Sequence, residues 1–80
     1  MNTENIINEL NNIFEDILDL EKISLNEFTT ADDIEEWDSL NNIQIIVAIE
    51  KHFQIKFLTS EIENFKNIGE MINSIYQKLN

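Results

Sequence analysis

Three features of this chain have residue types that could do chemistry: a serine behind an acidic run, a lone histidine, and a cluster of carboxylates. Ser39 stands in "EEWDSLNNIQ" at 35–44, at the head of an apolar segment. A serine nucleophile needs a base within hydrogen-bond reach and a third group to orient that base. The single histidine, His52, lies thirteen residues further along the same expected helix, about 20 Å away at 1.5 Å per residue. It cannot serve Ser39 and reads as a surface residue. No Gly-x-Ser-x-Gly elbow is present to expose a catalytic serine. With no cysteine there is no thiolate nucleophile, no disulfide framework and no Cys-based metal site. The run "DDIEE" at 32–36 lacks the spacing and the glycine of an EF-hand calcium loop, so it reads as a solvated acidic loop. No catalytic residue and no metal site are expected, and the chain does not read as an enzyme.

What remains for Ser39 is its position. Ser39 or Asp38 suits the N-cap of a helix that runs from Leu40. The same position favours an anion, because a phosphate esterified to a first-turn serine meets the positive end of the helix and unsatisfied backbone N–H groups. Since the chain has no cysteine, any thiol chemistry must arrive on a prosthetic group.

The elements that must position this serine follow from apolar spacing. Ile6, Ile7, Leu10, Ile13, Phe14, Ile17 and Leu18 keep the helical period in a first segment that Thr3 can cap. Ile68, Met71, Ile72, Ile75, Tyr76 and Leu79 keep it in a last segment, with Asn67 as N-cap and Glu70 three residues later. Residues 19–37 have no sustained period. Leu20, Ile23, Leu25, Phe28, Ile34 and Trp37 are scattered apolar anchors, which predicts a long loop pinned to the core. "TSEIENF" at 59–65 predicts a short helix, capped by Thr59 or by Ser60 with Glu63. The expected fold is all-α: a four-helix bundle with a long first loop and a short third helix. Eighty residues make a single domain over 1–80, burying only about 60% of the surface its unfolded chain exposes.

The second helix carries too much apolar surface for one stripe. At about 100° per residue, Ile45, Ile46, Ile49 and Phe53 share one side, while Leu40, Ile43 and Val47 share nearly the opposite side. No charged residue falls between Ser39 and Ile49. A central helix buried on both sides would explain this, but so small a bundle has little material to cover both. The second stripe is therefore expected to be exposed, as a docking surface that begins beside Ser39. Trp37 either anchors the end of the long loop on the core or contacts whatever Ser39 meets.

Net charge is −11, and it is unevenly placed. Residues 1–38 hold twelve acidic side chains against Lys22 alone, whereas residues 39–80 balance to zero. Such a surface repels nucleic acid and anionic membranes, since counterion release requires Lys and Arg, and it steers basic partner surfaces inward. The N-terminus has no basic segment leading into an apolar run, and the longest such run, "IIVAI" at 45–49, is far too short to span a bilayer. A cytoplasmic location is the simplest expectation.

With these residues in place, "DSL" at 38–40 within "DDIEEWDSLNNIQIIVAIEKHFQIKF" at 32–57 resembles the modification motif of acyl carrier proteins. The resemblance extends to the order of elements along essentially the whole chain. It implies a covalent 4′-phosphopantetheine on Ser39, moved there from coenzyme A by a phosphopantetheinyl transferase, whose terminal thiol holds acyl groups as thioesters. It implies a discrete carrier in fatty acid, polyketide or another specialised acyl pathway. Alternatives are an aminoacyl or hydroxyacyl carrier, or an unmodified adaptor that uses Ser39 only as a helix cap. By the same resemblance Asp38, Leu40, Ile43, Val47, Glu50, Glu61 and Glu63 are partner-binding positions. The partners would be the transferase and acyl-loading and acyl-processing enzymes with basic patches, and the carrier would be a monomer. Ile45, Ile46, Ile49 and Phe53 match core positions that an acyl chain can slide between. Asn41, Gln44, Lys51 and His52 stand where fatty-acid-synthesis members usually carry acidic residues, and Trp37 replaces the usual small-residue approach. In these respects the chain is similar to carriers dedicated to specialised pathways.

Overall fold

In a computed structural model, residues 2–79 are described. They form α1 (Thr3–Leu18), a 3₁₀ turn (Ala31–Asp33), α2 (Ser39–Phe53), α3 (Thr59–Asn64) and α4 (Ile68–Leu79). No strand occurs among the described residues. α1 packs against both α2 and α4. The expected all-α architecture, with its long first loop and short third helix, is the one observed.

Each long helix buries the stripe its periodicity marks. Ile6, Leu10, Phe14 and Leu18 come from α1, Ile45, Ile46, Ile49 and Phe53 from α2, and Ile68, Met71, Ile72 and Ile75 from α4. Each such side chain, fully buried, contributes about 1.5–3 kcal/mol, and together with Leu25 and Phe57 they form one core. Tyr76, part of the apolar repeat of α4, lies at its exposed edge.

Helix ends correct the sequence reading in two places. Asn2, not Thr3, caps α1: its Oδ1 accepts the N–H of Asn5 at 2.8 Å. Neither Thr59 nor Ser60 caps α3. Leu58 holds that position, and the carboxylate of Glu61 reaches back to accept its N–H at 2.7 Å. A carboxylate at the third helical position does the work that a hydroxyl at the cap would otherwise do. Asn67 caps α4 as expected, with Oδ1 accepting from Glu70 at 2.9 Å. α1 and α2 both end on a left-handed residue, Asp19 (φ 56°) and Gln54 (φ 58°), which lets the next N–H return to the helix.

The long loop is held by acceptors that the helices project into it. The Oε2 of Glu15 accepts from Ile23 and the Oδ1 of Asn11 accepts from Leu25, both at 2.8 Å. Leu25 is buried, and Leu20, Ile23, Ile34 and Trp37 pack on the core. Phe28, expected to be an anchor, is not one. It is 75% exposed, because Asn26 forms a tight turn in which its Oδ1 accepts the N–H of Phe28 and its carbonyl that of Thr29. That turn directs the ring outward.

The middle of the same loop closes the start of α4. Ile68 N–H donates to the carbonyl of Thr29 and Gly69 N–H to that of Glu27, both at 2.9 Å. A Cβ on Gly69 would lie 2.8 Å from the Glu27 carbonyl oxygen. The one glycine in the chain therefore sits where two backbones touch.

Candidate functional site

Asp38 settles the role of Ser39 as a cap by taking it. Its backbone is extended, its Oδ1 accepts the N–H of Asn41 at 2.8 Å and its carbonyl that of Asn42 at 2.8 Å. Ser39 is thereby the first helical residue, one position past the cap. Its side chain is exposed and makes no hydrogen bond among the described residues. The N–H groups of Ser39 and Leu40 likewise have no acceptor among the described residues, as the first turn of a helix dictates. The contrast with α4 is direct, since there all four leading N–H groups are satisfied.

The approach to the serine is rigid. Trp37 packs edge-on against Phe14 of α1, with ring centroids 4.9 Å apart, and its indole N–H donates to Asn42 Oδ1 at 2.9 Å. Asn41 Nδ2 donates to the carbonyl of Glu36 at 2.9 Å. The first turn of α2 thus grips the strand of loop that leads into it. Trp37 is an anchor by these contacts. It also borders the space beside Ser39.

That space is a cleft of about 360 Å³ between the start of α2 and the segment that runs from α3 to α4. Trp37, Asp38, Ser39 and Asn42 line it on one part, Ile62, Phe65 and Lys66 on another. An ester formed on Ser39 Oγ would have open N–H groups within the same turn and a part-apolar cleft alongside. A phosphodiester with a flexible, partly apolar extension fits this donor set. Nucleophilic catalysis does not, because His52 is committed elsewhere and pairs with Glu9 of α1 at 2.6 Å.

The second stripe of α2 is exposed, as its excess of apolar residues implied: Leu40 is 68% exposed, Ile43 62% and Val47 43%. The acidic positions divide. Glu63 and Asp38 are exposed. Glu50 and Glu61 have internal duties that the sequence did not reveal. Glu50 Oε2 accepts the N–H of Phe57 at 2.9 Å, latching the loop after α2. Glu61 accepts from Leu58, from Ser74 Oγ at 3.1 Å and from Lys78 at 2.9 Å. The Leu58 N–H, followed by the Lys78 ammonium, holds its carboxyl below the usual carboxylate range. In "DDIEE", Asp33 accepts from the Thr30 N–H and serves as a local cap. Among the described residues no group of three or more His, Asp or Glu side chains is placed to hold a metal ion. No helix among them is long and apolar enough to cross a membrane.

Sequence reasoning did not find Ile62, Phe65 and Lys66 as neighbours of Ser39. They stand more than twenty residues away and reach the cleft only through tertiary packing. Asn42 carried a signal in hindsight, being a polar residue within a turn of the one indole that needs an acceptor.

The family profile described as "Phosphopantetheine attachment site" matches residues 8–75. The chain is similar to the solution structure of a holo acyl carrier protein from Geobacter metallireducens. Identity is 37%, the match covers 91% of this chain and 84% of that one, and the TM-score is 0.86. No curated protein matches the chain.

Proposed function

The chain belongs to the phosphopantetheine-attachment family of acyl carrier proteins, carriers that are not themselves enzymes, and from that premise we propose that Ser39 is the residue that receives the group. The observation that carries the assignment is a hydroxyl left exposed and unbonded at the first position of α2, between the cleft lined by Trp37 and Phe65 and the exposed stripe of Leu40, Ile43 and Val47, while Asp38 does the capping. An adaptor that uses Ser39 as its cap has no support in that arrangement.

The covalent 4′-phosphopantetheine supplies a thiol at the end of a flexible arm, on which acyl groups ride as thioesters. The chain supplies everything else. Ser39 Oγ forms a bond to phosphorus as a pyrophosphate bond of coenzyme A breaks. The hydroxyl proton passes to the transferase and the nucleotide half of coenzyme A leaves. The N–H groups of Ser39 and Leu40, which have no acceptor among the described residues, would hold the anionic ester. Trp37 and Asn42 fix the approach to the serine. Leu40, Ile43 and Val47 form the face that partners contact, with Asp38 and Glu63 at their disposal for basic groups. Glu50 and Glu61 serve partners through the loops they hold. Association is weak and fast, steered by the acidic first half.

We place the chain as a monomeric, cytoplasmic carrier for the transferase and for acyl-loading and acyl-processing enzymes with basic patches. The near-neutral α2, with Asn41, Gln44, Lys51 and His52, favours a specialised acyl or polyketide pathway over primary fatty acid synthesis. The test is intact mass before and after incubation with coenzyme A and a broad-specificity phosphopantetheinyl transferase. Wild type gains one phosphopantetheine and Ser39→Ala gains none. An unchanged wild-type mass in a folded protein refutes the assignment.

A further inference from the structure

The cleft beside Ser39 poses an electrostatic problem. Asp38 already places a carboxylate there, and Glu35 and Glu36 precede it in the chain. A phosphodiester on Ser39 adds another negative charge to a protein of net charge −11. The helix terminus offers partial positive charge, but one cation also stands in the cleft wall. Lys66 is the only one of the five basic residues that lines it. Lys66 makes no ion pair among the described residues, where the lysine that is so paired is Lys78, with Glu61. Its backbone is fixed, because its N–H donates to Glu70 Oε2 at 2.7 Å in the turn that starts α4. Beside it, Phe65 packs edge-on against Phe57, with centroids 5.3 Å apart. Both walls of the cleft are therefore held by contacts that do not involve Ser39.

Resting on the assignment of Ser39 above, we infer that Lys66 is the counter-ion of the phosphodiester on Ser39 and turns the first atoms of the arm into the cleft that Trp37 and Phe65 line. The ammonium of Lys66, on its long flexible stem, approaches the ester oxygens from the side opposite in sequence to Asp38 and offsets that carboxylate. An exposed ion pair of this kind is individually weak. Its effect is to bias where the arm leaves the protein, toward the α3 side and away from the open face of Leu40 and Ile43. A weak bias suits a carrier, since each partner must be able to draw the arm out again. Lys66 is thus a positioning residue for the arm, with no part in forming the ester.

The test compares apo and holo forms of wild type, Lys66→Gln and Lys66→Arg. Intact mass comes first. If wild type takes up no phosphopantetheine, the carrier assignment fails and this inference falls with it. If wild type and variants load alike, the inference stands or falls on what loading does to the cleft. Trp37 is the only tryptophan in the chain, and it lines that cleft, so the change in its emission between apo and holo forms reports on what loading does there. Loading is expected to shield Trp37 from acrylamide in wild type and in Lys66→Arg. In Lys66→Gln, and in wild type at about 0.5 M salt, where charges are screened within a few Å, the shielding is weaker. The melting temperature of holo relative to apo should also fall in Lys66→Gln by roughly 1–5 °C compared with wild type. Shielding that is undiminished in Lys66→Gln, or no shielding in wild type, overturns the role of Lys66. So does a change in Lys66→Gln that is the same in apo and holo protein, since that is a purely structural effect.

Discussion

Leu40→Ala and Ile45→Ala should separate the two faces of α2. Leu40 is 68% exposed and Ile45 0%, although they lie little more than a turn apart on one helix. Burying a whole aliphatic side chain is worth about 1.5–3 kcal/mol. Only about a third of Leu40 is buried, so its truncation should cost no more than about 1 kcal/mol, or roughly 4–8 °C in melting temperature. Ile45→Ala removes fully buried methyls and leaves a cavity, at about 2–5 kcal/mol, a large part of the 5–15 kcal/mol available to a small domain. Function should invert this order. If Leu40 anchors partners, its loss costs at least about 1.4 kcal/mol of transition-state binding, a tenfold fall in kcat/KM. Urea melts give the first quantity, and initial rates of phosphopantetheinylation with a broad-specificity transferase give the second. A Leu40→Ala variant as unstable as Ile45→Ala would mean the stripe is core. A stable variant that is loaded at the wild-type rate would mean the stripe is exposed without docking that transferase.

Two further predictions concern how the loops are held. Gly69→Ala gains about 1 kcal/mol of helix propensity, but its Cβ would meet the Glu27 carbonyl oxygen at 2.8 Å. Overpacking of this kind costs about 1–3 kcal/mol, so a net loss of stability is expected, with faster amide exchange at Ile68 and Gly69; a higher melting temperature would refute the close approach. Glu61 has a folded pKa below its unfolded value, chiefly because its carboxylate accepts the Leu58 N–H. Its contribution is therefore present above the unfolded value and lost as pH falls through the folded one. The stability gap between wild type and Glu61→Ala, read from urea melts, should be open at neutral pH and narrow by about pH 3. A gap that is the same at both pH values would show that Glu61 acts without its charge.

The sequence made some of this legible because local rules decided it. The stripes of α1 and α4 repeat without a break, and no competing burial pattern existed for Leu10, Phe14, Met71 or Ile75. The double stripe of α2 was legible as an excess of apolar surface over what the bundle could cover. Caps were read less well, because more than one residue type satisfies the same N–H groups: Asn2 for Thr3, and Glu61 for Thr59 or Ser60. Phe28 was misread as an anchor because its outward direction depends on an Asn26 side chain turning the backbone, which hydropathy does not register. Glu50 and Glu61 look like surface charge in a sequence, and only the fold places the orphan N–H groups of Phe57 and Leu58 beside them. Lys66 and Phe65 had no signal toward Ser39 at all.

The helix starts give the functional argument its sharpest form. α4 is stopped at every leading N–H by Thr29, Glu27 and Asn67, which is what a helix end against a loop requires. α2 is capped by Asp38 through Asn41 and Asn42 only, while the loop before it is fixed by Trp37 on Phe14 and by Asn41 on Glu36 without supplying an acceptor to Ser39 or Leu40. α1 is left open in the same way, since Asn2 caps it only through Asn5 and Ile6; what sets α2 apart is the cleft and the exposed stripe that adjoin its open start. Two donors, a free hydroxyl and an apolar stripe are left together at a rigid point on the surface. That combination is of little use to a core element and well suited to holding an esterified anion in reach of passing enzymes.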